Sequence, residues 1–211
     1  MKIDCISDLH GRYPKLEGGD LLIIAGDLTA RDTEEQLWEF NEWICKQKYT
    51  KKIYIAGNHD VRFQNDNYWK GHHETDFATY LCDSGTEFEG LKIWGSPWTA
   101  RFPNQNPECM AFSLHPDELK SKWDLIPEDT DILITHSPPY GILDHTWKLR
   151  TGCSDLLERV KHINPKLHVF GHIHENGGKT TQLDIYKTIF VNASVVNENY
   201  NHINKPVQVV L

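Results

Sequence analysis

Short runs of apolar residues recur along this chain and are separated by polar segments. The runs are nearly continuous rather than alternating, which is typical of strands buried on both faces of a sheet or in a sandwich core. The pattern therefore predicts buried strands with polar residues at their ends. The predicted strands are Ile3–Ile6, Leu21–Ala25, Ile53–Ala56, Leu91–Trp94, Ile132–Thr135, Leu167–Phe170, Ile189–Val191 and Val207–Leu211.

Helical spacing of apolar residues predicts helices between several of these strands. The first helix would begin near Asp32 and Glu35, which together resemble a capping box. A second would begin near Pro116, and a third would cover Asp155–Ile163 before Pro165 ends it. Strands and helices alternate early, whereas the later chain is rich in strands. We therefore predict an α/β architecture of two packed sheets with helices outside.

Length and composition fit an ordinary globular protein. The 211 residues are 39% hydrophobic and 25% charged, and no linker or repeat divides them, so a single domain over residues 1–211 is expected. The polar stretch from 60 to 76 has no clear period and is interpreted as a loop. Five cysteines without C-x-x-C spacing favour a reducing compartment. With no leader pattern and no apolar run of membrane-spanning length, a cytoplasmic location without membrane contact is expected.

The net charge of −8 bears on the class of partner. Proteins that bind extended nucleic acid usually present a broad basic surface. A long polyanionic partner is therefore disfavoured, although a local site can still be positive on an acidic protein. A small anionic substrate remains compatible with this charge.

Histidine, aspartate and asparagine side chains cluster in five short blocks, each after an apolar run. Taken alone, a Gly-Asp or Gly-Asn-His-Asp block can be a plain turn, but five blocks in order favour a shared site. Carboxylate, amide and imidazole donors suit divalent Mn, Fe, Zn or Co. Two such ions about 3.5–4 Å apart can clamp a phosphoryl group for in-line displacement. The blocks are Asp8-Leu9-His10, Gly26-Asp27, Gly57-Asn58-His59-Asp60, Thr135-His136-Ser137 and Gly171-His172-Ile173-His174.

Spacing within the blocks predicts how they face a metal. In an extended segment, residues i and i+2 point to one side, so Asp8 and His10 are expected to face one ion together, and the same spacing recurs at His172 and His174. A carboxylate has two oxygens, which makes Asp27 the natural bridge between two ions.

The order D-x-H, G-D, G-N-H-D, H, G-H-x-H resembles the calcineurin-like metallophosphoesterase superfamily over residues 8 to 174. Further segments are similar to its metallophosphoesterase-domain-containing, or UPF0046-like, branch, which contains phosphodiesterases. Those segments are Gly95-Ser96-Pro97-Trp98, His136-Ser137-Pro138-Pro139, Gly141-Ile142-Leu143-Asp144, Gly171-His172-Ile173-His174-Glu175 and Asn192-Ala193-Ser194. The resemblance implies a four-layer αββα sandwich of two mixed sheets flanked by helices.

The same resemblance implies a ligand set for two divalent ions, with Mn²⁺ favoured and Fe, Zn, Co or Ni as alternatives. The first ion would take Asp8, His10, Asp27 and His174, and the second would take Asp27, Asn58, His136 and His172. The resemblance also places His59 near the leaving-group oxygen, where it could donate a proton. Asp60 could orient His59, and a hydrogen-bonding role behind the metal ligands is the alternative interpretation of His59.

The expected function is a metal-dependent phosphoric ester hydrolase, in which a metal-bound hydroxide attacks a small phosphodiester such as a cyclic nucleotide. Two divalent ions, two carboxylates and one hydroxide leave a local charge of about +1, which suits a monoanionic diester. A phosphomonoesterase or protein phosphatase is the alternative enzyme, although Gly26-Asp27 is followed by Leu28-Thr29-Ala30 and lacks the extended acidic motif of protein phosphatases. A non-catalytic, metal-dependent nucleotide-binding protein and a scaffolding role stay open.

Aromatic and histidine side chains near the motifs offer further candidates. Trp98, Tyr140 and Trp147 could stack on a base, and packing is an equally good interpretation of each. His72 and His73 lie in the polar stretch and are interpreted as solvated.

Overall fold

Two mixed β-sheets form the centre of the computed structural model, which describes residues 1–65, 77–102, 106–147, 149–183 and 187–211. Every predicted strand is present, and short strands are added to both sheets. In chain order the strands are β1 Lys2–Ile6, β2 Gly19–Ala25, β3 Tyr49–Ile55, β4 Thr79–Tyr80, β5 Ser84–Phe88, β6 Leu91–Ser96, β7 Thr99–Ala100, β8 Ser113–Leu114, β9 Ile132–Thr135, β10 Leu167–Phe170, β11 Lys179–Gln182, β12 Ile189–Asn192 and β13 Val207–Val210.

The first sheet has the order β13-β1-β2-β3-β4, and the second has the order β11-β12-β10-β9-β6-β5. In the first sheet only the β1–β13 pair is antiparallel, so β1, β2, β3 and β4 run in one direction. In the second sheet, β6, β9, β10 and β12 are parallel, and antiparallel strands β5 and β11 close the two edges. Parallel strands bring their carboxyl ends to the same edge of each sheet.

The helices are α1 Glu34–Cys45, α2 Val61–Asn65, α3 Pro116–Trp123 and α4 Ser154–Ile163. Residues at the helix ends determine where the helices begin and stop. Thr33 caps α1, because its Oγ1 accepts a hydrogen bond from Gln36 N at 3.2 Å, so the predicted Asp32–Glu35 capping box is wrong. Asp32 accepts instead from Arg62 N at 2.8 Å. Helix α3 begins at Pro116 as predicted, and α4 ends at the left-handed Asn164, directly before Pro165.

Three apolar layers separate the sheets and helices. Between the sheets, Ile23 and Ile53 of the first sheet pack in one cluster with Ile134 and Val169 of the second. Helix α1 covers the outer face of the first sheet, and helices α3 and α4 cover the outer face of the second. The chain therefore has the expected four-layer αββα arrangement, in which burial on both faces explains the continuous apolar runs.

The stretch from 60 to 76 is not simply a loop. Val61–Asn65 form the short helix α2, and Phe63 is buried beside Tyr54 and Tyr80. The remainder of the stretch, with His72 and His73, lies outside the described residues. Of the helices within the described ranges, none combines the length and apolar character needed to cross a membrane.

Candidate metal centre

The histidine, aspartate and asparagine blocks follow the carboxyl ends of parallel strands in both sheets. Asp8 follows β1, Asp27 follows β2 and Asn58 follows β3, while His136 and His172 follow β9 and β10 of the facing sheet. Because the two sheets pack face to face, these strand ends meet at one rim of the sandwich. The structure therefore brings the side chains of the five blocks together.

The backbone at the site is left-handed at four non-glycine residues. The φ angles are 57° at Asp8, 45° at His10, 52° at Asp27 and 67° at His172. The prediction that extended backbone orients Asp8 and His10 is therefore wrong, although both side chains do reach the site. A left-handed residue without special compensation costs roughly 1–2 kcal/mol, and such residues concentrate at functional sites.

One group of donors consists of Asp8, His10 and His174, whose ligand atoms all lie within 4.8 Å of one another. His174 Nε2 is 3.3 Å from Asp8 Oδ1 and 3.4 Å from His10 Nε2. Both oxygens of Asp8 also accept from His172 N at 3.1 Å, which fixes the carboxylate between the two strands' ends. This group offers one carboxylate and two imidazoles to a cation.

Asp27 joins two further donor groups, one with Asp8 and His136 and the other with His10 and His59. His136 Nε2 lies 3.4 Å from Asp27 Oδ1, and His10 Nε2 lies 3.8 Å from Asp27 Oδ2. The two oxygens of this carboxylate thus face different imidazoles. Asp27 has the geometry that a bridging carboxylate requires.

Hydrogen bonds to groups that only accept fix which ring nitrogen faces the site. His136 Nδ1 donates to Ala25 O at 2.9 Å, so Nε2 is left to face Asn58 Oδ1 at 3.0 Å. His59 Nδ1 donates in the same way to Ala30 O at 3.1 Å. Asn58 Nδ2 donates to Cys109 O at 3.0 Å, which turns the amide oxygen inward. The Nε2 atoms of His136 and His59 and the amide oxygen of Asn58 are therefore turned toward the site.

The pKa values of the buried groups follow from desolvation and from the two carboxylates. Burial lowers the pKa of His10 to about 4 and that of His172 to about 3, so both imidazoles are neutral. Burial alone would raise the pKa of Asp27, but the neighbouring histidines outweigh it and hold that pKa well below its usual range. For His136, burial opposes protonation, yet the charge of Asp27 raises its pKa to about 9.

These properties fit a divalent metal centre. Buried carboxylates that stay ionised, the neutral imidazoles of His10 and His172 and an inward amide oxygen are donors that such ions take. The raised pKa of His136 means that a bound ion would displace a proton from that ring.

Comparisons with known proteins place these residues in a family. The family model for calcineurin-like phosphoesterases matches residues 1–176. The chain belongs to the calcineurin-like phosphoesterase family. It is 37% identical to human metallophosphoesterase domain-containing protein 1, covering 98% of this chain and 70% of that protein. It is 33% identical to a UPF0046 protein of Caenorhabditis elegans, covering 98% and 74%. The solved structure of TT1561 from Thermus thermophilus shares the fold, with a TM-score of 0.55 at 15% identity over 90% of this chain and 88% of that one.

Membership of the metallophosphoesterase-domain-containing, UPF0046-like branch, expected from the motifs, is thus confirmed. Calcineurin-like phosphoesterases hydrolyse phosphoric esters with divalent metals, and the donor groups described above are candidates for holding them.

Asp60 is a structural part of this phosphoesterase site that sequence reasoning misjudged. Its Oδ2 accepts from Gly57 N at 2.8 Å and Leu28 N at 3.1 Å, while its Oδ1 accepts from the backbone and hydroxyl of Thr29, each at 3.0 Å. The carboxylate therefore ties the segment after β2 to the segment after β3. Asp60 positions these two loops rather than orienting the His59 ring.

Two glycines in the phosphoesterase motifs allow the aspartate side chains of the site to lie close to the backbone. A Cβ at Gly57 would overlap Asp27 Oδ1, and a Cβ at Gly171 would overlap Ser7 Oγ and Asp8 Oδ2. The backbone of Gly171 is not left-handed, so the small size of this glycine is what the site needs.

The aromatic candidates divide into packed and exposed residues. Trp98 Nε1 donates to Asp83 Oδ2 at 2.8 Å, and Lys122 Nζ lies 4.0 Å from the centre of its ring, so packing explains this tryptophan. Tyr140 and Trp147 are exposed at the surface. Tyr200, absent from the sequence-based candidates, packs against the rings of His10 and His174.

Asp60→Asn tests whether Asp60 holds together the loops that follow β2 and β3. Whichever way the amide turns, its NH₂ group would face a backbone N–H donor, either Thr29 N at the Oδ1 position or Gly57 N and Leu28 N at the Oδ2 position, and would leave that buried donor unpaired. We expect the free energy of unfolding, measured by urea denaturation of the metal-free protein, to fall by about 1–3 kcal/mol. Asp20→Asn, at an exposed carboxylate that accepts from Lys2 N, should change it by less than about 0.5 kcal/mol. Equal stability of the two variants would contradict the assigned role of Asp60.

Proposed function

We propose that this calcineurin-like phosphoesterase is a dinuclear metal-dependent phosphodiesterase that hydrolyses small phosphodiesters such as cyclic nucleotides. The observation that carries the proposal is the position of Asp27, whose two oxygens face separate groups of donors within one buried pocket. A shared carboxylate between two donor groups is what a pair of closely spaced ions requires.

The proposed ligands divide around Asp27. The distances among Asp8, His10 and His174 support a first ion held with Asp27. The contacts of His136 Nε2 with Asn58 and Asp27 support a second ion. His172 would complete the second set, because its ring centre is 5.0 Å from that of His136 and its Nε2 lies 3.4 Å from Thr99 Oγ1, leaving Nδ1 for a ligand.

Two bound divalent ions would supply an activated water and neutralise charge on the phosphoryl oxygens. The chain supplies orientation and a proton. His59 N donates to Asp27 Oδ1 at 2.9 Å, while His59 Nε2 lies 4.0 Å from Asp27 Oδ2 and its ring packs 4.6 Å from that of His10. Since Ala30 O holds the proton on Nδ1, the Nε2 atom is the one placed to protonate a leaving-group oxygen.

The charges around the pocket favour a diester over a monoester. Within the described ranges, Asp8 and Asp27 form their ion pairs with histidines and none with lysine or arginine. A monoester dianion would gain more than a monoanionic diester from such a basic side chain. The net charge of −8 likewise gives little attraction to a nucleic-acid polymer.

A phosphomonoesterase is the second candidate, since the same pocket could accept a monoester. Mn²⁺ as the native metal and a cytoplasmic location stay predictions from the sequence.

Metal and substrate assays test the proposal together. Purified protein should hold about two divalent ions per chain, lose hydrolysis on chelation and regain it with Mn²⁺. It should cleave bis-p-nitrophenyl phosphate and cyclic nucleotides with higher kcat/KM than p-nitrophenyl phosphate or duplex DNA. Activity in a verified metal-free sample would contradict the metal role, and a preference for the monoester of about tenfold would establish the second candidate.

Asp27→Asn tests the bridge. The substitution keeps the shape of the side chain but removes the charge that both donor groups share, so affinity for both ions should fall together. Asn58→Ala serves as the matched comparison, because its amide oxygen contacts His136 Nε2 at 3.0 Å and its loss should weaken one ion. Titration calorimetry with Mn²⁺ measures both. Loss of a single ion in Asp27→Asn would count against the bridge.

His59→Ala tests proton donation. Turnover should fall by about 10²–10⁴-fold with metal content unchanged. The loss should be smaller for esters with good leaving groups, which need less protonation. A uniform loss on every ester, accompanied by loss of metal, would make His59 structural.

A further inference from the structure

Tyr200 contacts the site and yet is left half open to solvent. Its ring centre lies 4.9 Å from that of His10 and 5.0 Å from that of His174, both in edge-to-face geometry. The residue is nevertheless 49% exposed. One part of the ring therefore packs on two proposed ligands, and the rest is open to solvent.

A rigid turn holds Tyr200 in this position. Asn197 Oδ1 accepts from Asn199 N and Asn201 N, each at 3.0 Å, and Tyr200 N donates to Asn197 O at 2.9 Å. Within this turn Tyr200 has a φ of +58°, which is unfavourable for a residue with a large side chain. The turn, rather than burial, thus fixes the direction of the ring.

The turn is also attached to the first motif. His202 Nε2 lies 3.0 Å from Leu9 O, and Val195 N donates to Ser7 O at 3.0 Å. The residues on either side of Tyr200 are therefore bound to the segment that carries Asp8 and His10. These contacts place Tyr200 beside the first motif.

A polar groove of about 340 Å³ adjoins this turn. It is lined by Glu175, which follows His174, by Glu198, two residues before Tyr200, and by Trp147 and Lys179. Trp147 is 79% exposed and so presents an aromatic face to the solvent. Lys179 Nζ is engaged with Glu175 O at 2.9 Å, and the two glutamates leave these side chains with a net negative charge.

We propose that Tyr200 is a substrate-contacting residue that determines specificity: its ring receives the non-leaving ester group of the diester and directs it into the groove beside Trp147. Such a surface selects a planar, uncharged group over a small aliphatic or an anionic one, because aromatic faces stack on planar groups and the groove carries negative charge. This inference rests on the proposed phosphodiesterase function.

Two esters with the same leaving group test the inference. Bis-p-nitrophenyl phosphate carries a planar second group, whereas methyl p-nitrophenyl phosphate carries none. Tyr200→Ala should lower kcat/KM for the first ester roughly tenfold, mainly through KM, and should change the second by less than about twofold. Tyr200→Phe should retain wild-type values, and Trp38→Ala, at an exposed tryptophan on α1, should alter neither ester.

A charged ester tests the contribution of the groove. An ester with p-carboxyphenyl as its second group should be a poorer substrate than bis-p-nitrophenyl phosphate, and Glu198→Gln should narrow the difference. Equal rates for these two esters in the wild-type protein would overturn selection by charge.

The contrary outcomes are distinct. Equal losses on bis-p-nitrophenyl phosphate and methyl p-nitrophenyl phosphate in Tyr200→Ala, together with lost Mn²⁺, would mean that Tyr200 only positions His10 and His174. Unchanged kinetics would mean that Tyr200 does not contact the substrate. Absence of any turnover in the wild type would refute the proposed function instead. Calorimetric binding of phenyl phosphate against methyl phosphate to the Mn²⁺-loaded protein then decides the Tyr200 inference without catalysis. Tyr200→Leu replaces Tyr200→Ala if the latter does not fold.

Discussion

Two carboxylates are buried next to each other where the two sheets meet, and this arrangement constrains the rest of the site. Asp8 and Asp27 are both shielded from water, and their oxygens lie within 4.8 Å of each other and of His136. Like charges in a low-dielectric pocket repel strongly unless cationic or hydrogen-bonding groups compensate. In the protein alone, backbone N–H groups and histidines provide that compensation, and two divalent ions would provide much more.

The fold makes this arrangement possible by attaching each donor to a different strand end. Left-handed backbone at Asp8, His10, Asp27 and His172 turns each side chain sharply into the pocket, which an extended continuation of the strands would not do. Asp60 then binds the loops after β2 and β3 into one unit through three backbone N–H groups. The sheets and the Asp60 carboxylate thus hold the left-handed backbone of the ligand-bearing loops in place.

The sequence predicted the parts of this structure whose cause is local or periodic. Continuous apolar runs identified the long strands, because burial on both faces requires them, and Pro116 and Pro165 marked helix boundaries correctly. Short strands such as β4 and β7 escaped notice because two residues carry no period. The cap of α1 was misplaced by one residue, since Asp32 and Thr33 are both good caps and only the contact of Asp32 with Arg62 separates them.

The sequence predicted which side chains meet at the site but not the residues that surround them. The five blocks name the side chains that meet, but the roles of Asp60 and Tyr200 depend on contacts between residues far apart in sequence. His59 and Asp60 are neighbours in one block, yet they face different partners, the pocket and the backbone of Leu28 and Thr29. Adjacency in a motif therefore says little about which groups act together.

The donor groups and the proposed substrate-contacting residue lie in different parts of the chain. The family model ends at residue 176, so the donor groups all lie within the segment that this chain has in common with calcineurin-like phosphoesterases. The turn that carries Tyr200, together with Lys179 and Glu198 of the groove, lies beyond it. Backbone hydrogen bonds from Val195 to Ser7, and the contact of His202 with Leu9, bring this later segment back onto the first motif. The sheets and the first motif contact only the inner side of the turn, so the side chains on its outer side can change without disturbing the donor groups. A family whose members share the same chemistry can therefore vary its substrates at this turn.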